Sequence, residues 1–171
     1  MRLSNNTPPQ TPHALYGIAG GAAGVLQTLK LMSAITKQAK KNIEIREKAA
    51  QLSNGFLQKD WLSEIKKLHA FVRDEIRYIK DIRGVETIHT PEKILEQRYG
   101  DCDDKSILLA SLLESIGHPT RFVAIGLSPG KYSHVYPETK IGDKWIPLET
   151  TEPVDIGWRP RNIVTRLVVY N

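Results

Sequence analysis

Thiols are almost absent from this chain: Cys102 is the only cysteine in 171 residues. No disulfide can form within it, no oxidising compartment is required, and no cysteine pair is available for a zinc site. Long apolar runs are equally scarce. The most apolar stretch, Ala14 to Leu26, is broken by Gly17, Gly20, Gly21 and Gly24 and is closed by Gln27 and Lys30, short of the roughly 20 residues that cross a bilayer. Met1 to His13 is polar and carries Pro8, Pro9 and Pro12, so it lacks the charged start and apolar core of a secretory signal. No repeat, low-complexity block, zinc finger or RNA-binding signature occurs. Asp101, Asp103 and Asp104 lack the alternating oxygen spacing and closing glutamate of a calcium loop. The expectation is a chain without metal or cofactor.

What is present is ordinary in bulk. Hydrophobic residues make up 40% and charged residues 25%, a composition that suits one globular domain with its own core. The formal charge of +5 comes from 24 Lys and Arg against 19 Asp and Glu, with the excess in Lys37 to Lys48 and in Arg159, Arg161 and Arg166. An excess of that size reads as a solvated basic face. No specific nucleic acid and no membrane partner is expected.

Residues 1–55 read as an N-terminal arm, unstructured through His13 and helix-prone but poorly amphipathic from Ala14 to about Ser53. A Ser-Asn-Gly break at Ser53 to Gly55 precedes a helix over about Asp60 to Lys80, where Trp61, Ile65, Leu68, Val72, Ile76 and Ile79 recur at steps of three and four. Thr90 caps a short helix that starts at Pro91. Asp101 caps another over Cys102 to Ile116, ended by Gly117, with Asp104 completing a carboxylate variant of the capping box. Strands follow at Thr120 to Gly126, Ser133 to Ile141 and Lys144 to Leu148, with a hairpin turn at Gly142-Asp143, and a last apolar run spans Ile163 to Tyr170. Helices first and antiparallel strands later predict an α+β fold, with residues 56–171 as the main domain.

The chemistry-bearing residues fall in the order cysteine, histidine, acid. Cys102 would open a helix, where unpaired amides and the positive end of the dipole stabilise a thiolate. Asp101, Asp103 and Asp104 oppose this unless their carboxylates point elsewhere, so an imidazolium partner is needed. His134, at the start of a strand, could form that ion pair and protonate a leaving group. Glu149, across the hairpin, could hold the second ring nitrogen. The amide of Cys102 would meet an oxyanion, with Gln97 or Tyr99 as a further donor. His13, His69, His89 and His118 have no motif around them.

These residues together resemble the transglutaminase-like superfamily, a papain-related group of cysteine hydrolases and acyltransferases. The likeness lies in four ordered blocks: Tyr99-Gly100-Asp101-Cys102, Gly117 to Val123, His134 to Glu138, and Trp145 to Thr151, after a preceding helix that ends in Val72 to Tyr78. It implies a papain/transglutaminase-like core in which the Cys-bearing central helix packs on an antiparallel sheet. It also implies a Cys102, His134 and Glu149 triad, with glutamate where aspartate is usual, acting on a peptide or protein amide through an acyl-enzyme. The short domain is similar to small bacterial and bacteriophage members, which points to a cytoplasmic or virion-associated peptidase or isopeptidase. The alternative is an assembly protein, such as a virion component, that docks on protein partners through residues 1–53.

Overall fold

The computed structural model describes residues 19–57, 59–80 and 87–171. Five helices surround and include one buried axis: α1 (Gly21–Ala39), α2 (Ile43–Ser53), α3 (Trp61–Glu75), α4 (Pro91–Gln97) and α5 (Cys102–Ser115). The axis is α5, whose residues Asp104 through Leu113 are buried without a break. A helix enclosed on every side has no polar face to display, which explains why its apolar residues form no stripe. On one side α5 meets Ile65, Leu68 and Val72 of α3, Ile45 and Ala49 of α2, and Ile94 of α4. On the other, Ile107 and Ala110 meet Leu29 and Met32 of α1 together with Phe122, Ala124 and Val135 of the sheet.

That sheet has four strands in the order β5 (Lys144–Pro147), β4 (His134–Ile141), β3 (Thr120–Gly126), β6 (Thr165–Tyr170), and every pairing is antiparallel. Its far face carries Val123, Ile125 and Tyr136, covered by Ile163. Gly142 takes a positive φ of 57° at the hairpin between β4 and β5, the conformation a tight turn demands and glycine adopts without strain. The α+β class and the boundaries of these strands agree with the sequence to within two residues.

Three elements differ from expectation. The helical stretch before Ser53 is two helices, because Asn42 leaves helical geometry and its side chain accepts from Glu44 N at 2.8 Å as an N-cap; the expected portion before residue 19 lies outside the described residues. Helix α3 stops at Glu75 rather than Lys80. Ile76 turns extended, and β1 (Arg77–Tyr78) runs parallel to β2 (Tyr99–Gly100), with Arg77 N donating to Arg98 O and Ile79 N to Gly100 O. The third difference concerns residues 21–53. Leu29 and Met32 of α1 and Ile45 of α2 are wholly buried in the two main clusters, so helices on both sides of residue 55 pack against α5.

Candidate active site

Cys102 is the first residue of α5. Asp101 precedes it in extended geometry, and its Oδ1 accepts from Asp103 N at 3.0 Å and Asp104 N at 3.1 Å. The N-cap is therefore formed as its sequence predicts, but the reciprocal half of the capping box is not. Asp104 instead turns to His89, taking the backbone N–H at 2.9 Å and Nδ1 at 2.8 Å. Gly100 permits this approach of β2 to α5, since a Cβ there would lie 2.5 Å from the Cβ of Asp104.

Cys102 is half-buried and packs against the sheet-side cluster that holds Phe122 and Val135. Burial pushes its pKa up strongly, and Asp103 and Asp101 add to the rise; a hydrogen bond from the Val135 backbone works the other way. Asp103 is the carboxylate that does not point away, with Oδ1 at 3.5 Å from the sulfur. Asp101, Cys102 and Asp103 bring one potential metal-ligating atom each within 4.8 Å of one another. Asp101 is already committed to two amides, and what this group gives the thiol is an anionic setting. A resting thiol, not the expected thiolate, is the species this environment favours.

His134 opens β4, one residue before Val135, which lies with Cys102 in the sheet-side cluster. Its Nε2 lies 2.5 Å from Glu149 Oε2, so Nδ1 is the nitrogen left to exchange a proton. Glu149 follows β5 and is held at both ends of its side chain. Its Oε1 accepts from the N–H and the hydroxyl of Thr151, each at 2.7 Å. Burial tends to raise its pKa, yet the hydrogen bond and charge of His134 and the two Thr151 donors outweigh that and hold it below the usual carboxylate value. The antiparallel pairing of β4 with β5 is what carries the acid back to the imidazole, fifteen residues away in sequence.

Two supporting residues had no signal in the sequence. His69 of α3 is buried, and its Nε2 lies 2.5 Å from the carbonyl oxygen of Glu149. A carbonyl only accepts, so Nε2 carries the proton. Burial lowers the pKa of this ring against the pull of that hydrogen bond, which favours the neutral form that makes it. Lys105, one turn along α5 from Cys102, is also sealed from solvent. Its ammonium donates to Ile76 O at 2.6 Å and Arg73 O at 3.2 Å, closing the C-terminal carbonyls of α3 as a buried cation can. Burial draws its pKa down to about 8, opposed by the charges of Glu149 and Asp74. Helix α3 thus grips the helix of Cys102 through Lys105 and the backbone of Glu149 through His69.

Gln97 and Tyr99 lie beside this group without joining it: the Gln97 amide donates to the carbonyl of Tyr99 at 2.9 Å.

The family model described as the transglutaminase-like superfamily matches residues 46–150. No curated protein matches the chain in sequence. Among solved structures, a candidate cysteine protease from Cytophaga hutchinsonii aligns with a TM-score of 0.52 at 16% identity, over 75% of this chain and 46% of that one. A candidate protease from Parabacteroides distasonis aligns with a TM-score of 0.58 at 12% identity, over 72% of this chain and 26% of that one. The chain spans less than half of the first and about a quarter of the second. At such identities the likeness is one of fold, a helix and antiparallel-sheet core of the papain/transglutaminase type, and it agrees with the architecture and family expected from the four sequence blocks.

Proposed function

The chain belongs to the transglutaminase-like superfamily, and from that premise we propose that it is a cysteine-dependent amide hydrolase of peptidase or isopeptidase type, working through Cys102, His134 and Glu149. The family and its protease-like neighbours support a cysteine hydrolase at the coarse level. The observation that carries the finer reading is the 2.5 Å bond from His134 Nε2 to the buried Glu149 carboxylate, formed one residue from Val135, which shares the sheet-side cluster with Cys102.

Each residue's part follows from its surroundings. Glu149, ionised and fixed by Thr151, keeps the proton of His134 on Nε2 and leaves Nδ1 basic. As the sulfur attacks an amide carbonyl, its proton passes to Nδ1, the S–C bond forms and the carbonyl electron pair moves onto oxygen. The amide of Cys102, at the first helical position where no carbonyl within the helix can accept it, is placed to meet that charge. Collapse breaks the C–N bond while His134 returns the proton to the leaving amine. Water then attacks the thioester with His134 as base, releasing a carboxylate and the thiol. Because the thiol is raised, proton transfer accompanies attack and the imidazole acts as a general base from the start.

Acylation with p-nitrophenyl acetate, followed by intact mass, tests this. The wild-type protein gains one acetyl group on Cys102 and releases it with turnover, whereas Cys102→Ala gains none and His134→Ala stays unmodified on the same timescale. Acetylation of Cys102 at an equal rate without His134 would sink the assignment.

A further inference from the structure

Neither residue expected to supply the second oxyanion donor is aimed at the sulfur. The Gln97 amide is spent on Tyr99 O, and the Tyr99 phenol lies within electrostatic reach of Lys93 on α4. The short parallel ladder of β1 and β2 points elsewhere. Its partners are Arg77 with Tyr99 and Tyr78 with Gly100, and residues paired across a ladder project to the same face while their neighbours project to the other. The face of Gly100 is fixed by its missing side chain, because a Cβ there would run into Asp104 on the first turn of α5. Tyr78 therefore projects toward that turn, where Cys102 sits, and Tyr99 projects away from it. Tyr78 is also 44% exposed, so the residue is not sealed in the core.

We propose that the Tyr78 hydroxyl is the second hydrogen-bond donor to the oxyanion formed at Cys102. The inference rests on the amide-hydrolase reading above and adds a residue to it. As the S–C bond forms and negative charge collects on the former carbonyl oxygen, the phenol donates a hydrogen bond and keeps its proton. It is suited to stay a donor: burial, then the charges of Asp101, Asp103 and Glu149, push its pKa up, and an oxyanion donor is useful only while protonated.

The test compares two reactions of the same sulfur in the full-length protein. Acylation by p-nitrophenyl acetate passes through a tetrahedral oxyanion; alkylation by iodoacetamide, at a saturated carbon, does not. Tyr78→Phe is expected to slow Cys102-dependent release of p-nitrophenol by about 100-fold while alkylation of Cys102 keeps its wild-type rate and the melting temperature is unchanged. Equal loss in both reactions would place the phenol's influence on the sulfur or on the fold and overturn the proposal, as would no loss in either. If the Cys102→Ala protein releases p-nitrophenol as fast as wild type, the hydrolase reading itself fails, an outcome distinct from a Tyr78→Phe variant that acylates normally.

Discussion

Glu138 on β4 and Glu149 just beyond β5 are both closed to solvent, at 0% and 1% exposure, yet their partners differ in kind. Glu138 is met by three guanidinium groups: Arg121 through Nε at 2.7 Å and Nη2 at 2.5 Å, Arg166 at 3.3 Å and Arg159 at 3.4 Å. Arg121 is itself stacked on Trp145, 4.2 Å from the ring centroid. Arginine does not release its proton in a protein, so this pairing is permanent and can only hold the outer face of the sheet together. Glu149 is met by an imidazole, two donors from one threonine and a histidine on its backbone, and an imidazole, unlike a guanidinium, can exchange its proton. The same burial of the same side chain is answered by a fixed charge in one place and by an exchangeable proton in the other. What separates them is whether the partner can titrate.

Exchange of function is the sharpest way to break this contrast. Glu149→Gln keeps the shape but reverses the preferred proton position on His134, and a loss of about 10⁴-fold in kcat is expected with the fold retained. Circular dichroism and Cys102-dependent ester turnover check both halves. The stability side carries its own sign. The folded carboxyl of Glu149 titrates below its ordinary value, so its contribution is present above about pH 4.3 and disappears as pH falls through the lowered value. The melting-temperature gap between wild type and Glu149→Gln should therefore shrink on acidification, and a gap that widens would contradict the assignment.

Glu138→Ala should do the reverse. Leaving the largely enclosed guanidinium of Arg121, 12% exposed, without its counter-charge is expected to cost about 3 kcal/mol of unfolding free energy by denaturant titration, with ester turnover per folded molecule unaltered. A milder intervention is His69→Ala, which frees the backbone of Glu149; about a 10-fold loss in kcat is expected. His69→Gln, whose amide can reach the same carbonyl, should recover most of it. A failure of glutamine to rescue would make His69 a packing residue only. The smallest effect concerns the thiol. Asp103→Asn removes the largest electrostatic contribution to its raised pKa, so alkylation of Cys102 by iodoacetamide should become several-fold faster at pH 8 and its rise with pH should move to lower pH.

The legible parts of the sequence were those whose physics is local. Alternation gave β3, β4 and β5 their ends, and cap residues gave α4 and α5 their first turns: Thr90 accepts from Lys93 N and Asp101 from two amides. The contact of His134 with Glu149 was readable because a hairpin with a glycine turn is itself a short-range feature that folds the carboxylate back toward the imidazole. What could not be read depends on partners distant in sequence. The spacing of Ile76 and Ile79 continues the helical pattern of α3, but Lys105, from a later helix, takes the last carbonyls and β2 captures the chain beyond. Asp104 carries the right offset for a capping box and is taken by His89 instead. His69 shows no motif because its partner is a backbone carbonyl, a group every residue possesses. The poorly amphipathic pattern of residues 21–39 concealed a helix with one packed face for a related reason: Ser33 and Thr36 of that face are sealed in the interior, so polarity there does not mark a solvent face.

The complete enclosure of α5 bears on how the protein should fail. A helix wrapped by four others and a sheet offers no local route by which its amides can open, so hydrogen exchange along Ile107 to Leu113 should proceed through whole-domain unfolding. Cys102 stands at the end of that helix, and any Cys102-dependent ester turnover should be lost on warming together with the cooperative melt, without an earlier stage in which the site loosens while the domain survives.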